Sequence, residues 1–175
     1  MMNLEELNTE YLFSLKPLII NNLKMKVYRL TSKKYSTDLS GMGAKLYGGR
    51  WNRIGVALLY TSANLSLSVL ENIVHISNPA FLPTFEAVII EIPDSFQEYS
   101  TNNFPENWRN QDSFESLRKL TDDFVEKREF LAMKVPSAII DVEYNFLINP
   151  QHSLFKEVKI INQQEFSFDQ RLFTR

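Results

Sequence analysis

The chain has 175 residues, 44% of them hydrophobic and 23% charged, with a net charge of -2 and a pI near 5.8. That length fits one domain able to bury a core without staples, and the mildly acidic balance weighs against nucleic acid or an anionic membrane as a direct partner. Cysteine is absent, which excludes disulfides, thiolate catalysis and cysteine-ligated zinc and fits a cytoplasmic location.

In chain order, residues 1–25 read as a helical N-terminal extension broken near Pro17, and 26–175 as the domain proper. Glu5, Glu6 and Glu10 stand where a signal peptide would be basic, and no apolar run reaches the length of a membrane span. Lys26 to Thr31 reads as a strand with Val27 and Arg29 on one side. A long ordered loop is expected from Gly41 to Gly55, then a buried strand from Val56 to Tyr60. Asn64 to His75 reads as a helix whose polar residues Ser68, Glu71, Asn72 and His75 share one narrow arc, hence a helix buried on most sides.

Phe85 to Ile92 alternates and is closed by Pro93, a strand, and Ser95 to Asn110 is irregular. Asp112 and Glu115 have the spacing of a capping box for a helix running to about Lys127. Phe130 to Val135, Ala138 to Val142, Val158 to Ile161 and Phe166 to Phe173 read as short strands. Helices and strands mix without βαβ alternation, which favours an α+β fold.

All five glycines lie between Gly41 and Gly55, among the cations Lys45, Arg50 and Arg53 and the rings of Tyr47 and Trp51. Glycine is retained where the backbone needs positive φ or where a ligand approaches the main chain. Arginine offers a planar fork for phosphate and an aromatic ring a flat face, so the expected ligand combines an anion with a ring, as a nucleotide does. Neither the dinucleotide fingerprint nor the phosphate loop is complete: Leu46 holds the third glycine position, and no Gly-Lys-Ser/Thr occurs. With two histidines outside any zinc pattern and no nucleophile elbow, a metal site and a serine hydrolase are not expected.

Tyr28-Arg29, Gly41-Met42-Gly43-Ala44, Gly48-Gly49-Arg50-Trp51-Asn52, Leu59-Tyr60-Thr61-Ser62, Leu70-Glu71 and Val135-Pro136-Ser137 follow one another in an order that resembles the RES domain family. Asn145 to His152 and Phe168 to Leu172 continue the resemblance, which spans roughly residues 26–173. It implies a single domain like the ADP-ribosyltransferases, with small twisted sheets flanked by helices. It implies a bacterial toxin that breaks the nicotinamide–ribose bond of NAD by hydrolysis or phosphorolysis, or that transfers ADP-ribose to a protein. It also implies neutralisation by an Xre-type helix-turn-helix antitoxin. NAD is then substrate and not cofactor, inorganic phosphate a candidate co-substrate, and no resident cofactor is needed.

The resemblance assigns Arg29, Tyr60, Glu71 and Ser137 to catalysis, and Arg29, Tyr47, Gly49, Arg50, Trp51, Asn52 and Asn149 to NAD binding or loop shaping. Plainer readings stand beside these. Glu71 also reads as a half-exposed helix glutamate, Arg29 as a structural ion-pair partner and Tyr60 as a core tyrosine. Ser137 has no base nearby in sequence and reads as a hydrogen-bonding residue. A nucleotide-binding module without catalysis, or a fold kept without activity, are the competing classes.

Overall fold

In a computed structural model, which describes residues 23–76 and 83–173, the chain runs through β1 (Lys24–Ser32), α1 (Met42–Tyr47), β2 (Leu59–Ser62), α2 (Leu65–Ile73) and β3 (Phe85–Pro93). It continues through β4 (Phe96–Glu98), α3 (Phe114–Lys127), β5 (Ala132–Pro136), β6 (Tyr144–Ile148) and β7 (Lys159–Phe166). The expected N-terminal helix lies outside the described residues, apart from positions that join β1. The architecture is α+β: a single seven-stranded sheet, ordered β4-β5-β6-β2-β1-β3-β7, in which only β4 and β5 pair in parallel.

The sheet is weakest at its middle. β1 pairs with β3 along nine residues, and β2 with β6 along four, but β1 meets β2 through one pair, Tyr28 opposite Ser62. Beyond that pair, the backbone of Leu30 has no strand partner on the β2 side. A buried backbone group without a partner is costly. Helix α2 supplies both: Ser68 Oγ accepts from Leu30 N–H at 2.7 Å, and Asn72 Nδ2 donates to the Leu30 carbonyl at 3.1 Å. The polar arc of α2 therefore faces the gap in the sheet, and Glu71, between those two residues, is carried to it.

Asn64 caps α2, its Oδ1 accepting from Leu67 N–H at 2.8 Å. Of the helix, Leu67 and Ser68 are fully buried, less than the expected burial on most sides. Two packed layers hold the sheet. Val27, Val88, Ile90, Ile92, Phe146 and Ile148 form one core. On the other face, Leu117 and Phe124 of α3 pack with Met133, Val135 and Leu147, using the helical spacing that the sequence displays.

Five local expectations change. The glycine block is not all loop, since Met42–Tyr47 forms α1 between Gly41 (φ 69°) and Gly48 (φ 66°). The strand expected at Val56 starts at Leu59. The capping box at Asp112 and Glu115 does not form: a 3₁₀ turn, Gln111–Ser113, leads into α3, and the Glu115 carboxylate takes two bonds from Arg53 instead. Ala138–Val142 and the end of Phe166–Phe173 are turns. Side chains win there: Ser137 Oγ accepts from Ile139 and Ile140 N–H, and Asp169 Oδ1 accepts from Arg171 N–H, which curls the chain out of strand geometry. Phe96–Glu98 and Tyr144–Ile148 are strands that the alternation of the sequence did not reveal.

Candidate active site

A cleft of about 650 Å³ opens at the join of β1 and β2. Arg29 of β1, Tyr60 of β2, Glu71 of α2, and Tyr47, Gly49, Arg50 and Trp51 of the glycine block all line it. Seven of the expected site residues are thus brought together from four stretches of chain. Asn52, Ser137 and Asn149 are fully buried behind the walls and do not line the cleft.

Glu71 is held by one oxygen. Ser137 Oγ donates to its Oε1 at 2.9 Å and Asn145 Nδ2 at 2.6 Å. Because Ser137 Oγ already accepts two backbone N–H bonds, its single proton is directed at the carboxylate. Ser137 is fully buried in this turn and does not line the cleft. Among the described residues, Glu71 Oε2 receives no protein hydrogen bond and remains available to the cleft.

Three guanidinium groups, of Arg29, Arg50 and Arg118, line the same cleft as this carboxylate. Arg29 donates to the carbonyls of Asp38 at 2.5 Å and Tyr35 at 3.4 Å. Arg50 donates to the carbonyls of Trp108 at 3.1 Å and Arg109 at 2.7 Å, with its guanidinium carbon 4.6 Å from the centre of the Phe114 ring. Arg118 gives Nε and Nη2 to the Gly49 carbonyl at 2.9 and 2.7 Å. No ion pair among the described residues involves any of the three. Burial lowers the pKa of Arg29 and Arg50, opposed by the charge of Asp38 at the first and of Glu71 at the second. Both stay cationic, as guanidinium does in proteins. Carbonyl tethers fix the forks in place, with the charge of Arg29 partly offset by Asp38 and that of Arg50 by Glu71.

Tyr60 combines its two readings. Its ring lines the cleft, while its hydroxyl donates to Asn52 Oδ1 at 2.8 Å. Burial chiefly raises the phenol's pKa, so it is protonated at neutral pH. Asn52 spends Nδ2 on the carbonyls of Ala44, Arg53 and Val56, tying the glycine block into one turn. Trp51 is buried against Phe104 and Trp108, with ring centres 5.3 and 6.1 Å away, and supports the loop more than it offers a stacking face. Tyr47 is 82% exposed at the rim. Asn149 lies at the far end of β6, where its Oδ1 accepts from Gln151 N–H, away from the cleft. Arg53, the third cation of the glycine block, pairs with Glu115 and Asp122.

Sequence reasoning missed Arg118, Phe114 and the role of Asn145. Arg118 follows the apolar Leu117 of α3, a weak hint that it flanks the packed face. Asn145 stood inside a recognised stretch with no function attached to it.

The RES domain profile matches residues 26–169. A protein of Yersinia enterocolitica named Toxin Res is 34% identical over 151 residues, covering 85% of this chain and 99% of its own length. Another of that name, from Photorhabdus laumondii, is also 34% identical over 151 residues, covering 85% of this chain and 97% of its own. A Sphingobium protein named Prs ADP-ribosylating toxin is 32% identical, covering 79% of this chain and 88% of its own length. In the crystal structure of the M. tuberculosis MbcT–MbcA toxin–antitoxin complex, a chain superposes with a TM-score of 0.69 at 14% identity, covering 83% of this chain and 85% of that one. At that identity the likeness concerns the fold alone.

Proposed function

The chain belongs to the RES domain family and is a RES-type toxin, and from that premise we propose that it is an enzyme that breaks the nicotinamide–ribose bond of NAD. The observation that carries this reading is one half-free carboxylate in the same cleft as three guanidinium groups that form no ion pair among the described residues. NAD presents the complement: an anionic pyrophosphate between two flat rings, and a ribose whose anomeric carbon turns cationic as the bond breaks.

In that step the C1′–N1 bond breaks and its electron pair goes to the pyridinium nitrogen, so nicotinamide leaves neutral. No acid is needed for the leaving group. The ribose passes through an oxocarbenium-like state, as in glycoside hydrolysis. Glu71 Oε2 serves it by binding a ribose hydroxyl and placing negative charge near the developing cation. Arg29, Arg50 and Arg118 hold the pyrophosphate, and the Tyr60 ring supports the nicotinamide. An acceptor oxygen then bonds to C1′ and gives up its proton.

The acceptor is water or inorganic phosphate in the first reading. Protein ADP-ribosylation is the second, supported by the name of the Sphingobium relative. A cognate antitoxin is part of the proposal, supported by the toxin–antitoxin neighbour, and an Xre-type helix-turn-helix protein is our expectation for it. Separation of the products by mass tests the choice. Free ADP-ribose identifies hydrolysis, ADP-ribose 1″-phosphate identifies phosphorolysis, and label on a protein identifies transfer. Unchanged NAD in all three reactions, with any antitoxin removed, contradicts the proposal.

A further inference from the structure

Two strands and a helix converge on one oxygen of Glu71. Ser62 of β2 and Asn145 of β6 are directly opposite in the sheet, and Ser62 Oγ donates to Asn145 Oδ1 at 2.7 Å. Asn145 Nδ2 in turn donates to Glu71 Oε1 at 2.6 Å. The chemistry of the groups fixes the direction. An ionised carboxylate only accepts, so Asn145 must turn its NH₂ toward Glu71, and its carbonyl oxygen must then face Ser62. The hydroxyl, able to donate or accept, conforms by donating. With Ser137 on the same oxygen, Oε1 carries two donors and Oε2 none among the described residues.

From this geometry we propose that Asn145, oriented by Ser62, is a positioning residue that anchors Glu71 Oε1 so that Oε2 is the oxygen that meets the ribose. The inference rests on the NAD reading above and adds to it a residue and an oxygen. Asn145 sits in β6 between β2 and β5, opposite Ser62 on one side and Val135 on the other, so its backbone is fixed by two strand partners. A side chain on such a strand holds a carboxylate more closely than a loop residue does. Ser137 alone would leave the carboxylate free to swing about a single bond.

The decisive variant is Asn145→Asp, nearly isosteric, which keeps the acceptor for Ser62 and replaces the donor facing Glu71 by a second carboxylate oxygen. Its kcat for nicotinamide release should fall about 100-fold, as misplacing a reacting group by about 1 Å does, with KM for NAD changed less than about threefold. Ser62→Ala should lower kcat by about threefold to tenfold, because the amide keeps its bond to Glu71 but loses its support. Wild-type kcat in folded Asn145→Asp, or a loss confined to KM, overturns the proposal.

A thermal readout separates this inference from the NAD reading. Asn145→Asp should lower Tm by about 4 °C through carboxylate repulsion, and adding Glu71→Gln, whose amide can donate to Asp, should recover more than half of that loss. If wild-type protein leaves NAD intact but the recovery is seen, the NAD reading fails while the anchoring of Glu71 stands. Additive losses of Tm overturn the anchoring whatever the substrate.

Discussion

Replacing Gly49 with alanine should damage both stability and substrate binding, for a reason visible in distances. A Cβ built at Gly49 would lie 2.8 Å from the Tyr60 hydroxyl and 3.1 Å from Asn52 Oδ1, whereas ordinary contact begins at 3.4 Å. The phenol must retreat by about 0.6 Å, the difference between 3.4 and 2.8 Å. It cannot do so and keep its 2.8 Å bond to Asn52, whose other polar atom is already committed to three carbonyls. Losing that bond and leaving a buried oxygen unpaired costs about 2 kcal/mol. For a domain of this size that lowers Tm by about 4–8 °C. The displaced ring moves into the cleft, so KM for NAD should rise about tenfold, the loss of one modest binding contact. Gly43→Ala is the internal contrast, since its Cβ would meet nothing within 4 Å and it lies inside α1. There alanine should raise stability by about 0.5–1 kcal/mol or leave it unchanged. Differential scanning fluorimetry and initial rates of nicotinamide release read both effects. A Gly49→Ala protein with wild-type Tm and kcat/KM would refute the close-approach explanation.

Arg118→Ala should raise KM for NAD about tenfold with kcat within about threefold, because its guanidinium touches the anion-binding wall and not the bond being broken; a fall in kcat alone would assign it elsewhere. His152 makes stability pH-dependent: its Nδ1 accepts from Leu154 N–H at 3.1 Å, and burial lowers its pKa, opposed by the carbonyls of Arg128 and Glu129. The unfolded chain therefore binds this proton near pH 6.5 while the folded chain resists it, so stability is lost as pH falls below about 6.5. His152→Asn retains a capping acceptor and should flatten the decline in Tm between pH 7.5 and 5.5; parallel Tm curves for the two proteins would contradict this.

Local patterns exposed what depends on neighbours in sequence. The strand closed by Pro93 and the helices read near Asn64–His75 and up to Lys127 act within a few residues, and they appear as Phe85–Pro93, Leu65–Ile73 and Phe114–Lys127. The polar arc of α2 was equally visible, but its meaning was not. It faces the protein because Leu30 lacks a strand partner on its β2 side, a fact of sheet topology that no helical wheel contains. Arg118 and Asn145 enter the site from 69 and 74 residues away from their partners, through packing of α3 on the sheet and the pairing of β6 with β2. The turn after Pro136 misled because Ser137 claims two backbone N–H groups that a strand would have used. Family resemblance grouped Ser137 with Glu71, and the two side chains share a 2.9 Å hydrogen bond.

In the proposed reaction Glu71, in a cleft it shares with Arg29, Arg50 and Arg118, enables cleavage of the nicotinamide–ribose bond. Purified protein, free of any antitoxin, should be incubated with NAD beside its Glu71→Gln variant, and released nicotinamide quantified over time. The account predicts release by the wild type and a loss of at least about 100-fold in the variant, at equal folded fraction. Equal rates in the two proteins, or no release by either, would contradict it.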